Sequence, residues 1–170
     1  MPRDQFDAVL IAIRRIIRAI DLQSRKLVQS HGLTGPQALI LKEVNRNQGL
    51  TAGELALKVS LSQATITDIV KRLEQRGLLA RARSQQDRRR TIIRLTPEGE
   101  KRVAQSPPLL QEEFAKRFSE LTNWEQSQLL YAVQRLAALM DAEELDASPV
   151  LTSGSLRATE QAVEDVLVPE

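Results

Sequence analysis

The chain has 170 residues, of which 42% are apolar, 27% charged and only 3% aromatic, enough for a buried core and ordinary in charge for a folded domain. With no cysteine and one histidine, it has no disulfide framework, thiolate or multi-histidine metal site, thiol nucleophile or cysteine redox switch. The net charge of +2 hides a polarised chain: residues 71–94 hold nine basic residues against two acids, a net +7, whereas residues 141–170 hold one arginine against eight acids, a net −7.

The N-terminus, Met1-Pro2-Arg3-Asp4, does not open a secretory leader, and no apolar run approaches the 18 residues of a membrane span. The expectation is therefore a soluble, cytoplasmic, mainly α-helical protein with no membrane partner. Residues 4–31 read as one helix about 40 Å long. Its apolar stripe is Phe6, Val9, Ile13, Ile16, Ile20 and Leu27, stepping by three and four and widened by Leu10 and Ile17. A stripe this long suits association with other helices.

Gly32 ends that helix, and Thr34-Gly35-Pro36 opens a second one that buries Leu39, Ile40, Leu41 and Val44. Thr51-Ala52-Gly53-Glu54 is a capping box for a short third helix. A turn expected over Ser60–Gln63 leads into a fourth helix, with the stripe Ile66, Ile69, Val70 and Leu73 and a stop at Gly77. The period then changes. Residues 78–84 and 91–96 read as two strands around the charged tip Gln85-Gln86-Asp87-Arg88-Arg89-Arg90.

Thr96-Pro97 starts another helix, which must break at Ser106-Pro107-Pro108. It resumes with Leu110, Phe114, Phe118 and Leu121, and Thr122-Asn123-Trp124-Glu125 caps a last long helix carrying Leu129, Val133, Leu136 and Met140. Ser148-Pro149 and Ser153-Gly154 read as a linker before a weakly amphipathic end. The expected organisation is an N-terminal association helix over 4–32 and a basic central domain over 34–97. C-terminal association helices follow over 98–145, then an acidic tail over 146–170, partly disordered or a short helix.

Two helices joined by a short turn and followed by a hairpin form a winged helix-turn-helix layout. Opposite its apolar stripe, the fourth helix shows Gln63, Thr65, Thr67, Asp68, Lys71 and Arg72. Short hydroxyl and amide groups near its start reach base edges, and the basic pair reaches phosphates. Arg88, Arg89 and Arg90 repel one another on an exposed turn and make sense against phosphates or a narrow minor groove. Asp87 beside them is placed to hold one guanidinium. All five aromatics, Phe6, Phe114, Phe118, Trp124 and Tyr131, lie outside this region. It therefore lacks the stacking platforms of single-strand and RNA-loop binders and fits duplex DNA.

The stretch from Leu33 to Gly99 resembles the MarR family of winged helix-turn-helix regulators. Asp87-Arg88-Arg89 followed by Leu95-Thr96-Pro97-Glu98-Gly99 matches that family's wing signature, and Leu73-Glu74-Gln75-Arg76-Gly77-Leu78 its passage from helix to wing. The resemblance spans roughly residues 5–145. It implies an obligate homodimer with intertwined terminal helices, repressing at pseudo-palindromic operators and often released by a small molecule. It implies that Arg89 is the wing arginine with Asp87 as its salt-bridge partner, and that Gln63, Ala64, Thr65 and Thr67 read bases. Ser62, Lys71, Arg72, Arg88 and Arg90 complete the expected DNA contacts; Phe6, Val9, Ile13, Ile16, Ile20, Leu129, Val133, Leu136 and Met140 form the expected dimer contact. No metal or other cofactor is expected. The family's peroxide sensors need a cysteine that this chain lacks, and the tail exceeds the family's usual end. Residues 18–37 are also similar to members controlling compatible-solute genes, which points to osmotic stress and draws attention to Arg18, Asp21 and Ser24. An effector would sit between the first helix and the segment around Trp124 and Tyr131, unless those aromatics are dimer core.

Catalysis has little support. Glu112 and Glu113 are adjacent on a helix and do not face each other, and His31 at a helix end reads as a C-terminal cap. No nucleophile triad, phosphate loop or metal spacing occurs. A winged helix serving only protein contacts is the alternative; the +7 segment opposes it, and duplex binding with a steep salt dependence separates the two.

Overall fold

The computed structural model describes residues 3–47, 49–84, 87–145, 147 and 150–153. The elements run α1 (Arg3–His31), α2 (Gly35–Asn47), α3 (Ala52–Val59), α4 (Gln63–Gln75), β1 (Leu79–Arg83), β2 (Thr91–Leu95), α5 (Pro97–Gln105), α6 (Leu110–Ser119) and α7 (Asn123–Leu139). The fold is mainly helical with one antiparallel hairpin, in register from Leu79 opposite Leu95 to Arg83 opposite Thr91.

The core lies where α2, α3, α4 and the hairpin meet. Leu33, Ile40, Leu41, Val44, Leu55, Ile66, Val70, Leu73 and Ile93 are fully buried there, each contributing about 1.5–3 kcal/mol of apolar transfer. Leu50 adds a one-residue third strand: its N–H and carbonyl both bond Ile93, at 3.3 and 2.7 Å. That bridge pins the base of the wing to the residue just before the α3 cap.

The capping boxes form as the spacing predicts, Thr51 with Glu54 and Thr122 with Glu125. The Thr96 hydroxyl accepts from the Gly99 N–H at 3.0 Å and donates to the Gly77 carbonyl at 2.6 Å. A Cβ on Gly99 would lie 2.1 Å from the Leu78 carbonyl oxygen. The Leu-Thr-x-x-Gly signature is thus a packing device, with threonine tying helix start to strand start and glycine permitting the contact.

The end of α1 is held differently from expectation. Arg76 donates to the Gly32 carbonyl at 2.7 Å and Arg102 to the His31 carbonyl at 2.8 Å. These two guanidiniums supply the positive charge that a helix C-terminus favours. The His31 ring instead reaches away, with Nε2 2.9 Å from the Gln105 carbonyl.

The chain breaks at Ser106-Pro107-Pro108 as the prolines require. Glu112 then anchors α6: its carboxylate accepts from the Leu109 N–H at 2.8 Å, Lys42 at 2.5 Å and Arg46 at 2.8 Å. Burial raises its pKa, but the bonds from Lys42 and Leu109 and the charges of Lys42 and Arg46 outweigh that, and the net shift is downward. This acid is a structural tie between α2 and α6.

The stripes of α1 and α7 are largely uncovered in the single chain. Phe6 is 64% exposed, Ile16 60% and Val133 61%; Val9, Leu129 and Met140 are also exposed, and Ile13, Ile20 and Leu136 half-buried. Beyond α7 the structure departs from the expected tail: Val150 is 4% exposed and belongs to the core cluster. The amphipathic segment read over 156–166 lies outside the described residues. Among the described residues no helix is long and apolar enough to cross a membrane.

Candidate nucleic-acid interface

Burial of Ile66, Ile69, Val70 and Leu73 fixes which side of α4 faces out. Gln63, Ala64, Thr67 and Lys71 are exposed, and Thr65, Asp68 and Arg72 half-buried. The turn before α4 is one residue shorter than predicted, because Gln63 is already helical and Ser62 is the N-cap. The Ser62 hydroxyl accepts from the Thr65 N–H at 3.1 Å and lies 2.8 Å from the Thr65 hydroxyl. Ser62 therefore orders the start of the helix, a task worth about 1 kcal/mol in comparable caps. The Thr67 hydroxyl donates to the Gln63 main-chain carbonyl at 2.8 Å. Arg72 pairs with Asp68 at 2.9 Å, and Lys71 has no ion pair among the described residues.

The wing tip is set by backbone contacts. The Asp87 carboxylate accepts from the Arg89 N–H at 2.9 Å, the Arg90 N–H donates to the Asp87 carbonyl at 2.9 Å, and the Ser84 N–H donates to the Arg90 carbonyl at 2.9 Å. This corrects the expected Asp87–Arg89 salt bridge. Asp87 holds the main chain of Arg89 rather than its guanidinium, because a two-residue separation in a tight turn brings the N–H, and not the long side chain, to the carboxylate. Arg88 and Arg89 are exposed and carry no ion pair among the described residues.

Arg90 stands apart from its neighbours. Its guanidinium pairs with Glu54, the acid that also accepts from the Thr51 N–H and hydroxyl, each at 2.9 Å. The Thr51 backbone bond, the Thr51 hydroxyl and Arg90 together lower the Glu54 pKa to about 2. The third wing arginine thus fastens the wing to the cap of α3. Sequence reasoning missed this pair, which is 36 residues apart. Arg81, on β1, pairs with Glu74 of α4 at 3.3 Å. Among the described residues of 71–94, the exposed basic side chains with neither an ion pair nor a side-chain hydrogen bond are Lys71 on α4, Arg83 and Arg94 on the strands, and Arg88 and Arg89 on the tip. The residues singled out as dimer contacts lie apart from this face, on α1 and α7. An open groove of about 580 Å³ runs beside Leu121, Glu125, Gln128, Leu129 and Tyr131 of that region, with Trp124 and Tyr131 both exposed.

Comparison with known proteins points the same way. The sequence pattern of the MarR family matches residues 31–90, which span α2 to the wing tip. The chain is 30% identical over 114 residues to the HTH-type transcriptional regulator YsmB of Bacillus subtilis, covering 67% of this chain and 78% of that one. It is 32% identical over 109 residues to the transcriptional regulator HosA of Escherichia coli, covering 57% and 81%. Among solved structures it is similar to a MepR-like protein complexed with pseudoligands, at 30% identity, 82% and 97% coverage and a TM-score of 0.50. It is also similar to the PcaV regulator of Streptomyces coelicolor in complex with its natural ligand, at 29% identity, 76% and 91% coverage and a TM-score of 0.53. With the two-stranded wing, the outward face of α4 and these relatives together, the chain belongs to the MarR family of winged helix-turn-helix transcriptional regulators.

Proposed function

We propose that the chain works as a homodimeric repressor on pseudo-palindromic duplex DNA, with α4 of each protomer in a major groove and each wing tip on the flanking backbone or minor groove. The observation that carries this reading is the division of the basic residues. Arg72, Arg81 and Arg90 are spent on internal pairs, while Lys71 beside Gln63, Ala64 and Thr67 on the outer side of α4, and Arg88 and Arg89 on the wing tip, are left outward, as are Arg83 and Arg94 on the strands. In this reading Gln63, Ala64, Thr65 and Thr67 meet base edges, Lys71, Arg88 and Arg89 meet phosphates, and Ser62, Asp87 and Arg90 position them.

Dimerisation through the α1 and α7 stripes, with 4–32 and 98–145 as the association regions, is the second part of the proposal. Apolar side chains as exposed as Phe6, Ile16 and Val133 are ones that an isolated protomer would leave in water. A small-molecule effector acts by preferring a non-binding spacing of the two recognition helices, which must sit about 34 Å apart to enter successive major grooves. The similarity of residues 18–37 to regulators of compatible-solute genes adds osmolyte genes as the target class.

Selection of bound duplexes from a random pool tests the reading. A two-fold symmetric motif is the expected outcome; recovery of unrelated sequences would refute it. On the recovered operator, Gln63→Ala should cost about 1–3 kcal/mol and relax preference at one base position. Titrating ionic strength and osmolytes separately against that operator tests the osmotic assignment.

A further inference from the structure

The described end of the chain sits in a cleft of its own fold. Val150 packs into the core. The Ser153 N–H donates to the Ser24 hydroxyl at 2.9 Å, the Ser24 and Thr152 hydroxyls lie 3.1 Å apart, and the Ser153 hydroxyl donates to Asp21 at 3.0 Å. The Leu151 N–H donates to the Gln111 side-chain carbonyl at 3.3 Å. A Cβ on Gly35 would have as its nearest neighbours Thr152 at 3.1 Å and Val150 at 3.2 Å. The space left beside Ser24, Leu27, Leu109 and Val150 is about 20 Å³, room for about one water.

Four residues therefore touch three elements: α1 through Asp21 and Ser24, the start of α2 through Gly35, and α6 through Gln111. Between α1 and α2 lies the short covalent connection Gly32–Thr34, with Gly32 at φ +60°. A segment hydrogen-bonded to α1 on one side of that connection and packed against Gly35 on the other restrains its angle. We propose that Val150–Ser153 is a latch, a segment of the chain's own C-terminal region that seats in the cleft between α1, α2 and α6 and fixes the orientation of the winged helix relative to α1.

Val150 is the apolar anchor, Thr152 and Ser153 supply the hydroxyls, and Gly35 is the gap that admits them. Neutral hydrogen bonds contribute modestly each, so the latch holds because it is tethered, at an effective concentration reaching the millimolar range, and it stays breakable. The seating itself is independent of the DNA-binding reading; its effect on operator affinity rests on that reading.

The test uses the full chain and two readouts, hydrogen exchange over residues 20–28 and affinity for the selected operator. Gly35→Leu and Val150→Asp should each unseat the segment, speed exchange there by about threefold or more, and weaken operator binding by a similar factor, since the oriented state is then only partly populated. The double variant should match the singles, because a latch can be opened only once. The Ser24→Cys, Thr152→Cys pair, in a chain with no other cysteine, should slow exchange below the wild-type rate when oxidised and return on reduction. Additive effects of the two substitutions, or oxidation that leaves exchange unchanged, would overturn the latch. Altered exchange with unaltered operator affinity would overturn its control of orientation. If no chain binds duplex DNA, the DNA-binding reading fails, and exchange alone still decides the seating.

Discussion

Arg88 and Arg89 are exposed at the wing tip and carry no ion pair among the described residues, so replacing both with alanine should act almost wholly through DNA. Each phosphate neutralised adds about 0.9 to the slope of log affinity against log salt. Two charges per wing and two wings per dimer give a loss of about 3.6 from the magnitude of that slope, against about 1.8 if a single wing engages. Over a fourfold rise in salt, 50 to 200 mM, the wild type would then lose roughly 150-fold more affinity than the variant. Arg90→Ala is the internal control: its guanidinium is already engaged by Glu54, and its slope should stay within about one unit of wild type. Fluorescence anisotropy on a labelled operator across five salt concentrations measures both. A double variant with the wild-type slope, or an Arg90→Ala slope as flat as the double variant's, would refute the assignment of which arginines face the phosphates.

Further outcomes follow from the packing and the charges. Ile40→Ala removes a fully buried side chain and should lower stability by about 2–5 kcal/mol in urea unfolding. Ile16→Asp places a charge on the exposed α1 stripe and should give a monomer by light scattering while the helical circular dichroism of the winged domain persists; an intact dimer would locate the interface elsewhere. Glu54 is held at about 2 against an ordinary value of about 4.3. A depressed carboxyl stabilises the fold above its unfolded pKa and loses that contribution as pH falls towards its folded one. Glu54→Gln should accordingly be less stable than wild type at pH 6, and the gap should close between about pH 4.3 and 2.

Much of the architecture was legible because its signals are local. Thr51 with Glu54, Thr122 with Glu125, Thr96-Pro97 and Ser106-Pro107-Pro108 each place a helix boundary within a few residues, and the structure has boundaries at all of them. The wing was legible from the change of period and the charged tip. What escaped was long-range or single-residue. One bridge at Leu50 offers no alternation to detect. The pairing of Arg90 with Glu54 and the bonding of Arg76 and Arg102 to the end of α1 depend on the tertiary fold. Val150 reads as a linker residue because a lone valine between polar neighbours has no periodicity, and only Gly35, across the cleft, makes room for it. On the outer side of α4, exposure was legible for Gln63, Thr67 and Lys71. The duties of Ser62, Asp87 and Arg90 were not, since a cap, a turn and a clamp use the same polar groups as a DNA contact.

Arg76 closes the recognition helix and, through one fork, grips Gly32 at 2.7 Å and Gln37 at 3.3 Å. It is the crankpin of a lever whose far end is Gln63. A helix of this length is roughly 18 Å from end to end, so a tilt of about 5° at the crankpin displaces Gln63 by roughly 1.6 Å. On the proposed reading, base-edge hydrogen bonds from Gln63 would not survive such a displacement, whereas Arg88 and Arg89 on long side chains would follow their phosphates. Small rotations of α1 would therefore erase sequence discrimination before they erased adhesion. A regulator working in this way would leave its operator by becoming indiscriminate, diluted over other duplex DNA while still bound.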